Sequence, residues 1–244
     1  MNSLDLTLVA GSRPELLQKT LESFKKHVFS YISIAQVFVN IDRHGGTESD
    51  RSECVNRVLS FFPHAYISTP ALNSFGGAVK HLWSLPQAQN FLHLEDDWVA
   101  TRDVRLDRLK FAPDIRTKQW FLVKPQVSQS ILTSYRYRPV RGIPFFLPNP
   151  LSPAFTTSPS IINSAFAHKI SRLLKADLNP EKQMFNALNP RLEEELKKFR
   201  SKALVSWWEK PFICDIGREW QKAQGIQVEI IDGIHGYRKL SEEN

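Results

Sequence analysis

Three consecutive carboxylates, Glu95, Asp96 and Asp97, follow an apolar run and precede Trp98 in the stretch NFLHLEDDW, residues 90–98. Crowded acids repel one another, and a folded chain tolerates them best around a cation. Their place at the carboxyl end of a strand is where open α/β sheets hold ligands. A solvated acidic turn would produce the same local pattern, so the surrounding elements must decide.

Those elements alternate. Leu4–Ala10 has leucines in period two, as a strand does. Ser12 and Glu15 fit a capping box, Pro14 suits a first helical turn, and Leu17, Leu21, Phe24 and Val28 follow at helical spacing. Ala35–Ile41 is a second strand, ending at Asp42. A loop through Gly46 leads to a helix with the stripe Val55, Val58, Leu59 and Phe62. A third strand, Ala65–Thr69, passes through Pro70 to the loop Asn73–Gly77. A short helix, Ala78–Leu85, precedes the strand that ends in the acids. This alternation predicts a parallel sheet with right-handed crossovers. Its ligand-facing rim then collects Ser12 and Arg13, Asp42, Asn73–Gly77 and Glu95–Asp97.

The second half changes character. Pro139–Pro159 holds six prolines and the pair Phe145–Phe146, which reads as an apolar, extended cleft wall. Helices are expected over Ile161–Leu174, Glu181–Leu188 and Arg191–Phe199. Strands are expected over Ala203–Trp207, Phe212–Ile216 and Gln227–Ile231.

The chain has 244 residues, 42% hydrophobic and 23% charged, which suits one large folded domain. Two cysteines, Cys54 and Cys214, give neither a disulfide framework nor a structural zinc pattern. No signal peptide and no membrane-spanning stretch are visible, so a cytoplasmic protein is expected. A net charge of +7 favours anionic partners such as nucleotide phosphates or an acidic membrane surface. Without a stripe of interleaved aromatics and arginines, the charge permits nucleic-acid binding and does not demand it.

With these residues placed, the chain resembles the GT-A fold glycosyltransferases, and among them the family 2 group. LTLVAGSRPELLQKTLESF is similar to that group's opening strand, Arg-Pro turn and first helix. VFVNIDRHGG resembles its second strand with the base- or ribose-binding aspartate, and NSFGGAVKHLW its helix beneath the nucleotide. FLHLEDDW stands at its Asp-x-Asp metal motif. One departure is Gly11-Ser12, where the group commonly has an aromatic residue and Asn. The resemblance implies a Rossmann-like, mostly parallel sheet flanked by helices. Residues 1–98 would form the nucleotide-sugar half, and 99–244 the acceptor-binding and catalytic half of the same domain.

The resemblance also implies a chemistry. A nucleoside diphosphate gains negative charge as it leaves, and carboxylate-held Mn²⁺ or Mg²⁺ offsets it. Asp97 would ligate the metal and Asp96 would meet ribose or sugar hydroxyls. Asp42 would serve the base, with Ala10, Asn73 and Gly76 lining the nucleotide pocket and Arg13 and Lys80 meeting phosphate or sugar. An inverting enzyme needs a base, and Glu181, after Asn179-Pro180 at an expected helix start, fits; Asp177 and Glu209 are alternatives. Glu181 also suits a helix N-terminus for its dipole alone. His235 in a flexible turn, or Asp215, would complete the metal shell. The donor would be a UDP-sugar and the acceptor a hydroxyl of a glycan, lipid-linked intermediate or small molecule. Alternatives are a nucleotidyltransferase, whose usual glycine-rich loop is poorly matched by Ala10–Pro14, and a basic nucleic-acid-binding protein or metal nuclease. The pairs Phe145–Phe146 and Trp207–Trp208 suit either core packing or sugar stacking.

Overall fold

The computed structural model describes residues 3–106, 117–123, 137–139, 146–148, 155–183, 188–204, 210–231 and 234–239. The chain begins with β1 (Leu4–Ala10), α1 (Pro14–His27), β2 (Ile34–Ile41), α2 (Glu48–Phe61), β3 (Tyr66–Ser68), α3 (Phe75–Leu82) and β4 (Asn90–Glu95). It continues through the short strands β5 (Trp98–Ala100), β6 (Thr117–Phe121), β7 (Tyr137–Pro139) and β8 (Phe146–Pro148). β9 (Ser160–Asn163), α4 (Ser164–Leu173), α5 (Pro190–Leu196) and β10 (Arg200–Ala203) follow. The last described elements are β11 (Ile213–Asp215), α6 (Gly217–Ala223), β12 (Ile226–Ile231) and β13 (Ile234–Lys239).

Seven strands form the main sheet in the order β10-β6-β9-β4-β1-β2-β3. Six run the same way, and β9 alone is antiparallel to its neighbours β4 and β6. The expected α/β class and mostly parallel sheet are therefore present. The second half of the chain supplies three of the seven strands, so both halves share one sheet.

Strand β1 is buried along its whole length, as a central parallel strand covered on both faces must be. On one face, Leu17, Leu21 and Phe24 of α1 and the following Val28 are fully buried against the sheet. Each such side chain contributes about 1.5–3 kcal/mol, which fixes the helix whose first turn carries Arg13 into the site. On the other face Trp83, at the end of α3, packs on Phe91, Phe155 and Phe166. His93 lies inside this core, where its Nδ1 meets the Thr7 hydroxyl at 2.8 Å and accepts from Trp83 Nε1 at 3.3 Å. Burial pushes its imidazole down to about 3, so it is neutral and structural.

Several elements differ from expectation, each for a local reason. Ser12 does not cap α1; its hydroxyl donates to the Asp42 carbonyl at 2.9 Å, and Arg13 occupies the cap position. The capping box belongs instead to α2, between Thr47 and Asp50. The buried stripe of α2 is Arg51, Cys54 and Val58, whereas Leu59 is 37% exposed. α3 starts three residues early because the Ser74 hydroxyl caps it by accepting from Gly77 N–H at 2.8 Å. Ser160–Asn163 pairs as a strand between β4 and β6, and the expected helix begins only at Ser164. Pro180–Gln183 forms a turn rather than a helix start, with Lys182 and Gln183 N–H both donating to the Asn179 carbonyl. His235 lies not in a turn but in β13, opposite Ile230 of β12. The side chains of His235 and Phe146, and residues Phe145, Trp207, Trp208 and Glu209, lie outside the described residues.

Candidate nucleotide-sugar site

A cleft of about 810 Å³ opens at the carboxyl ends of β1, β2 and β4. Residues from both halves of the chain line it, among them Ala10, Arg13, Asp42, Asn73, Gly76, Glu95, Asp96, Asp97, Thr157, Asn179 and Glu181. That volume is within the usual range for small-molecule sites.

The wall at the ends of β1, β2 and β4 is held by backbone. Asp96 follows β4 directly; its N–H donates to the Val9 carbonyl at 3.1 Å, and its own carbonyl accepts from the Thr20 hydroxyl at 2.7 Å. Its carboxylate, 1% exposed, takes the Gly11 N–H at 3.0 Å and both Nε and Nη2 of Arg13. Asp96 is thus fully engaged inside the protein, which is not the sugar-facing place expected of it. Arg13 also donates to Asp97 Oδ2 at 3.2 Å, so its guanidinium serves carboxylates. Asp42 is 6% exposed, accepts from Asn40 at 2.8 Å and from Ser74 N–H at 3.3 Å, and has its carboxyl raised by burial. Asn73 accepts from Arg43 N–H at 2.8 Å, which closes the rim between β2 and β3.

Asp97 takes fewer bonds from the fold than Asp96. Burial, and next the nearby Asp96, push its carboxyl up to about 6 against the opposing pull of Arg13; Asp215 adds to the rise. It lies against the start of α6 so closely that a Cβ on Gly217 would come within 2.3 Å of its Oδ2. Any side chain at position 217 would therefore push Asp97 aside. Asp215 sits beside it but is partly used, accepting from Gly217 N–H at 2.8 Å and pairing with Arg218 at 3.1 Å. Glu95 is raised well above the usual carboxylate range, first by burial and then by Asp97 and Glu181.

The opposite wall comes from turns. Glu181 Oε1 accepts from the Thr156 hydroxyl at 2.7 Å and the Thr157 N–H at 2.8 Å, which steadies the carboxylate at the cleft. Gly76, at the start of α3, packs so tightly on this wall that a Cβ would stand 2.2 Å from the Leu178 carbonyl. Its role is that close approach. Lys80 is missing from the cleft lining and donates to the Leu174 carbonyl at 2.8 Å. His44, Leu72, Ser158, Lys182 and Gln221 also line the cleft. Nothing in their sequence context distinguished them from ordinary loop and turn residues; Leu72, 83% exposed, was the one visible oddity.

A divalent ion was expected here, and the donor set can be tested for it. Among the described residues no three His, Cys, Asp or Glu side chains form a metal-holding group. Mg²⁺-type sites at nucleotides need only one or two carboxylates, because phosphates and water complete the shell. Asp97, crowded and raised, with Asp215 beside it, fits that open arrangement.

No protein-family model matches the chain. No curated protein sequence matches it either. Solved structures do. A mannosyltransferase from Pyrobaculum calidifontis, PcManGT, in complex with GDP-Man and Mn²⁺, is 10% identical with a TM-score of 0.51, over 84% of this chain and 56% of that one. Residues 1–349 of S. aureus TarS are 13% identical with a TM-score of 0.55, over 88% and 61%; the same fragment is also solved with UDP. A CMP:2-keto-3-deoxy-manno-octonic acid synthetase complexed with CTP is 12% identical with a TM-score of 0.50, over 91% and 96%. The chain thus spans less than two thirds of the first two structures. No helix among the described residues is long and apolar enough to cross a membrane. The seven-stranded sheet with its single reversed strand, together with these likenesses, makes the fold of this chain that of the GT-A glycosyltransferases.

Proposed function

We propose that this chain is a metal-dependent glycosyltransferase that moves a sugar from a UDP-sugar to an acceptor hydroxyl with inversion. The observation that carries the reading is the meeting of Asp42, the adjacent Asp96 and Asp97, and Glu181, from three separate places in the sequence, on one cleft. Asp42 accepts hydrogen bonds from the base or ribose, for which its buried carboxylate is already oriented by Asn40 and Ser74. Asp97, with Asp215, would hold Mn²⁺ or Mg²⁺, which when bound offsets the charge of the leaving diphosphate. Asp96 holds Arg13 and so fixes the acid corner. Glu181 removes the proton of the attacking hydroxyl at its carboxylate, while Thr156 and Thr157 keep it aimed. Inversion follows from the resemblance, with Glu181 as the base rather than Asp177, which also lines the cleft.

The acceptor is a hydroxyl of a glycan, lipid-linked intermediate or small molecule, bound against Thr157–Ser158 and Asn179–Lys182. The net charge of +7 supports peripheral contact with an acidic membrane surface on the cytoplasmic side. A second reading, a nucleotidyltransferase making an activated sugar, is favoured by the similarity over 96% of the synthetase's length. Against it stands the segment Ala10–Pro14, which has one glycine. Thermal melting with a panel of nucleotide sugars and free nucleoside triphosphates, each with and without Mn²⁺, separates the two. Metal-dependent stabilisation by a UDP-sugar, lost in Asp97→Ala, supports the transferase. Stabilisation by a triphosphate alone points to the synthetase reading, and no shift with any nucleotide sinks both.

A further inference from the structure

The cation nearest the two aspartates is one the chain supplies. Arg13 Nη2 bridges Asp96 Oδ1 and Asp97 Oδ2, the latter at 3.2 Å, and its Nε reaches Asp96 Oδ2 at 3.2 Å. The side chain is gripped from other directions as well. Its methylenes lie on Gly45, where a Cβ would stand 2.7 Å from Cγ. Its guanidinium carbon lies 5.3 Å from the ring centroid of Trp220 in α6. The same short helix touches Asp97 at Gly217, so α6 bears on both members of the ion pair.

The two aspartates are bound unequally. Asp96 adds the Gly11 N–H to its two bonds from Arg13. Asp97 has one bond from Arg13, at 3.2 Å. If this cluster opens, the Arg13–Asp97 contact is the one that gives, and Arg13 stays anchored to Asp96.

We infer that Arg13 is an internal counter-ion competing with a divalent cation for Asp97, so that the acid corner takes metal only together with a nucleoside diphosphate. The inference rests on the metal-dependent reading above. A guanidinium on Asp97 Oδ2 and a dipositive ion on the same carboxylate repel each other. Pulling the guanidinium off also breaks a buried pair, which is costly unless a new partner appears. A diphosphate is such a partner: its oxygens suit the planar fork of Arg13 and at the same time ligate the metal. Trp220 holds the guanidinium over the acid pair by its cation–π contact, so weakening that contact eases its displacement by a metal. Metal and nucleotide then favour each other's binding by the same factor.

The test is a Mn²⁺ titration of the full chain followed by electron paramagnetic resonance, with Mn²⁺ alone and with saturating UDP. Wild-type protein should bind Mn²⁺ alone at least about ten-fold more weakly than with UDP, within the usual range of coupling factors. Arg13→Met, which keeps bulk and removes charge, should tighten Mn²⁺ alone by about ten-fold and shrink the UDP effect correspondingly. Trp220→Leu leaves the charge in place and should shift binding the same way by about two- to five-fold, which covers the case that Arg13→Met does not fold. Unchanged or weaker binding of Mn²⁺ alone in a folded variant overturns the inference. Failure of wild-type protein to bind Mn²⁺ at any UDP concentration overturns the metal-dependent reading itself, and so separates the two.

Discussion

The two walls of the cleft are built on different principles. The wall at the strand ends is set by the sheet: Ala10 holds a ladder position at the end of β1, and Asp42 and Asp96, the first residues after β2 and β4, are fixed by N–H bonds to the Ala10 and Val9 carbonyls. The facing wall, where the acceptor would bind, is made of turns fastened by two buried glutamines. Gln119 accepts from Thr156 N–H and donates to its carbonyl, at 3.1 and 2.6 Å. Gln183 accepts from Lys175 N–H at 2.8 Å and donates to the carbonyls of Lys175 and Leu178, at 2.8 and 3.2 Å. Rigidity on one side thus comes from the sheet, and on the other from a few side chains that replace a missing ladder.

The sharpest break of this contrast is Asp97→Asn. On the proposed reading, removing the charge that would hold the metal should lower kcat by about 10³-fold while the strand-end wall stays folded, measured by sugar transfer and circular dichroism. The same variant should be more stable than wild type above pH 6. The Asp97 carboxyl is raised from 3.8 to about 6, so its ionised form burdens the folded state. The stability of protonated Asp97 is complete below about pH 4 and is lost as pH rises through 6. The gain in Asp97→Asn should therefore reach about 3 kcal/mol near neutrality and vanish below pH 4, read from urea unfolding at several pH values. A variant destabilised at pH 8 would show that Arg13 outweighs burial at this corner.

Glu181→Gln tests the other wall. It should cost about 10²–10⁴-fold in kcat with donor affinity unchanged, by isothermal calorimetry with UDP. Equal losses of donor affinity and rate would instead place Glu181 on the nucleotide. Gly217→Ala forces Asp97 away from α6, and a displacement near 1 Å should lower kcat by about 10²-fold with an intact fold. Gln183→Ala should have the smallest catalytic effect. It strips partners from three backbone groups, costs about 1–3 kcal/mol, and should raise the acceptor KM more than the donor KM. A donor KM that rises equally would mean the two walls are mechanically one.

The same contrast explains what the sequence made legible. β1, α1 and β4 are long, strongly patterned segments whose burial follows directly from hydrophobic period, and Asp42 and Asp97 could be placed because they end such segments. Ser12 went astray because a hydroxyl that fits a capping box fits equally well against the Asp42 carbonyl, and tertiary context chose the second. Lys80 carried the right charge on the right helix, yet the nearby Leu174 carbonyl captured it. Ile161–Asn163 read as helix because a short apolar run has no period of its own; its strand pairing depends on β4 and β6, distant in sequence. Glu181 was found through resemblance, but the helix expected to carry it is a turn.

The reversed strand β9 has a further consequence. Because it runs against β4, its first residue, Ser160, lies beside His93 near the carboxyl end of β4, and its last, Asn163, beside Asn90 at the far end. The segment entering β9 therefore reaches the cleft, whereas for β1, β2 and β4 it is the segment leaving. The proposed donor and acceptor surfaces would thus be encoded on opposite sides of their strands in the reading frame. Exchanging only the residues upstream of Ser160 for those of another GT-A protein should transplant acceptor preference while leaving every nucleotide-facing loop as it is.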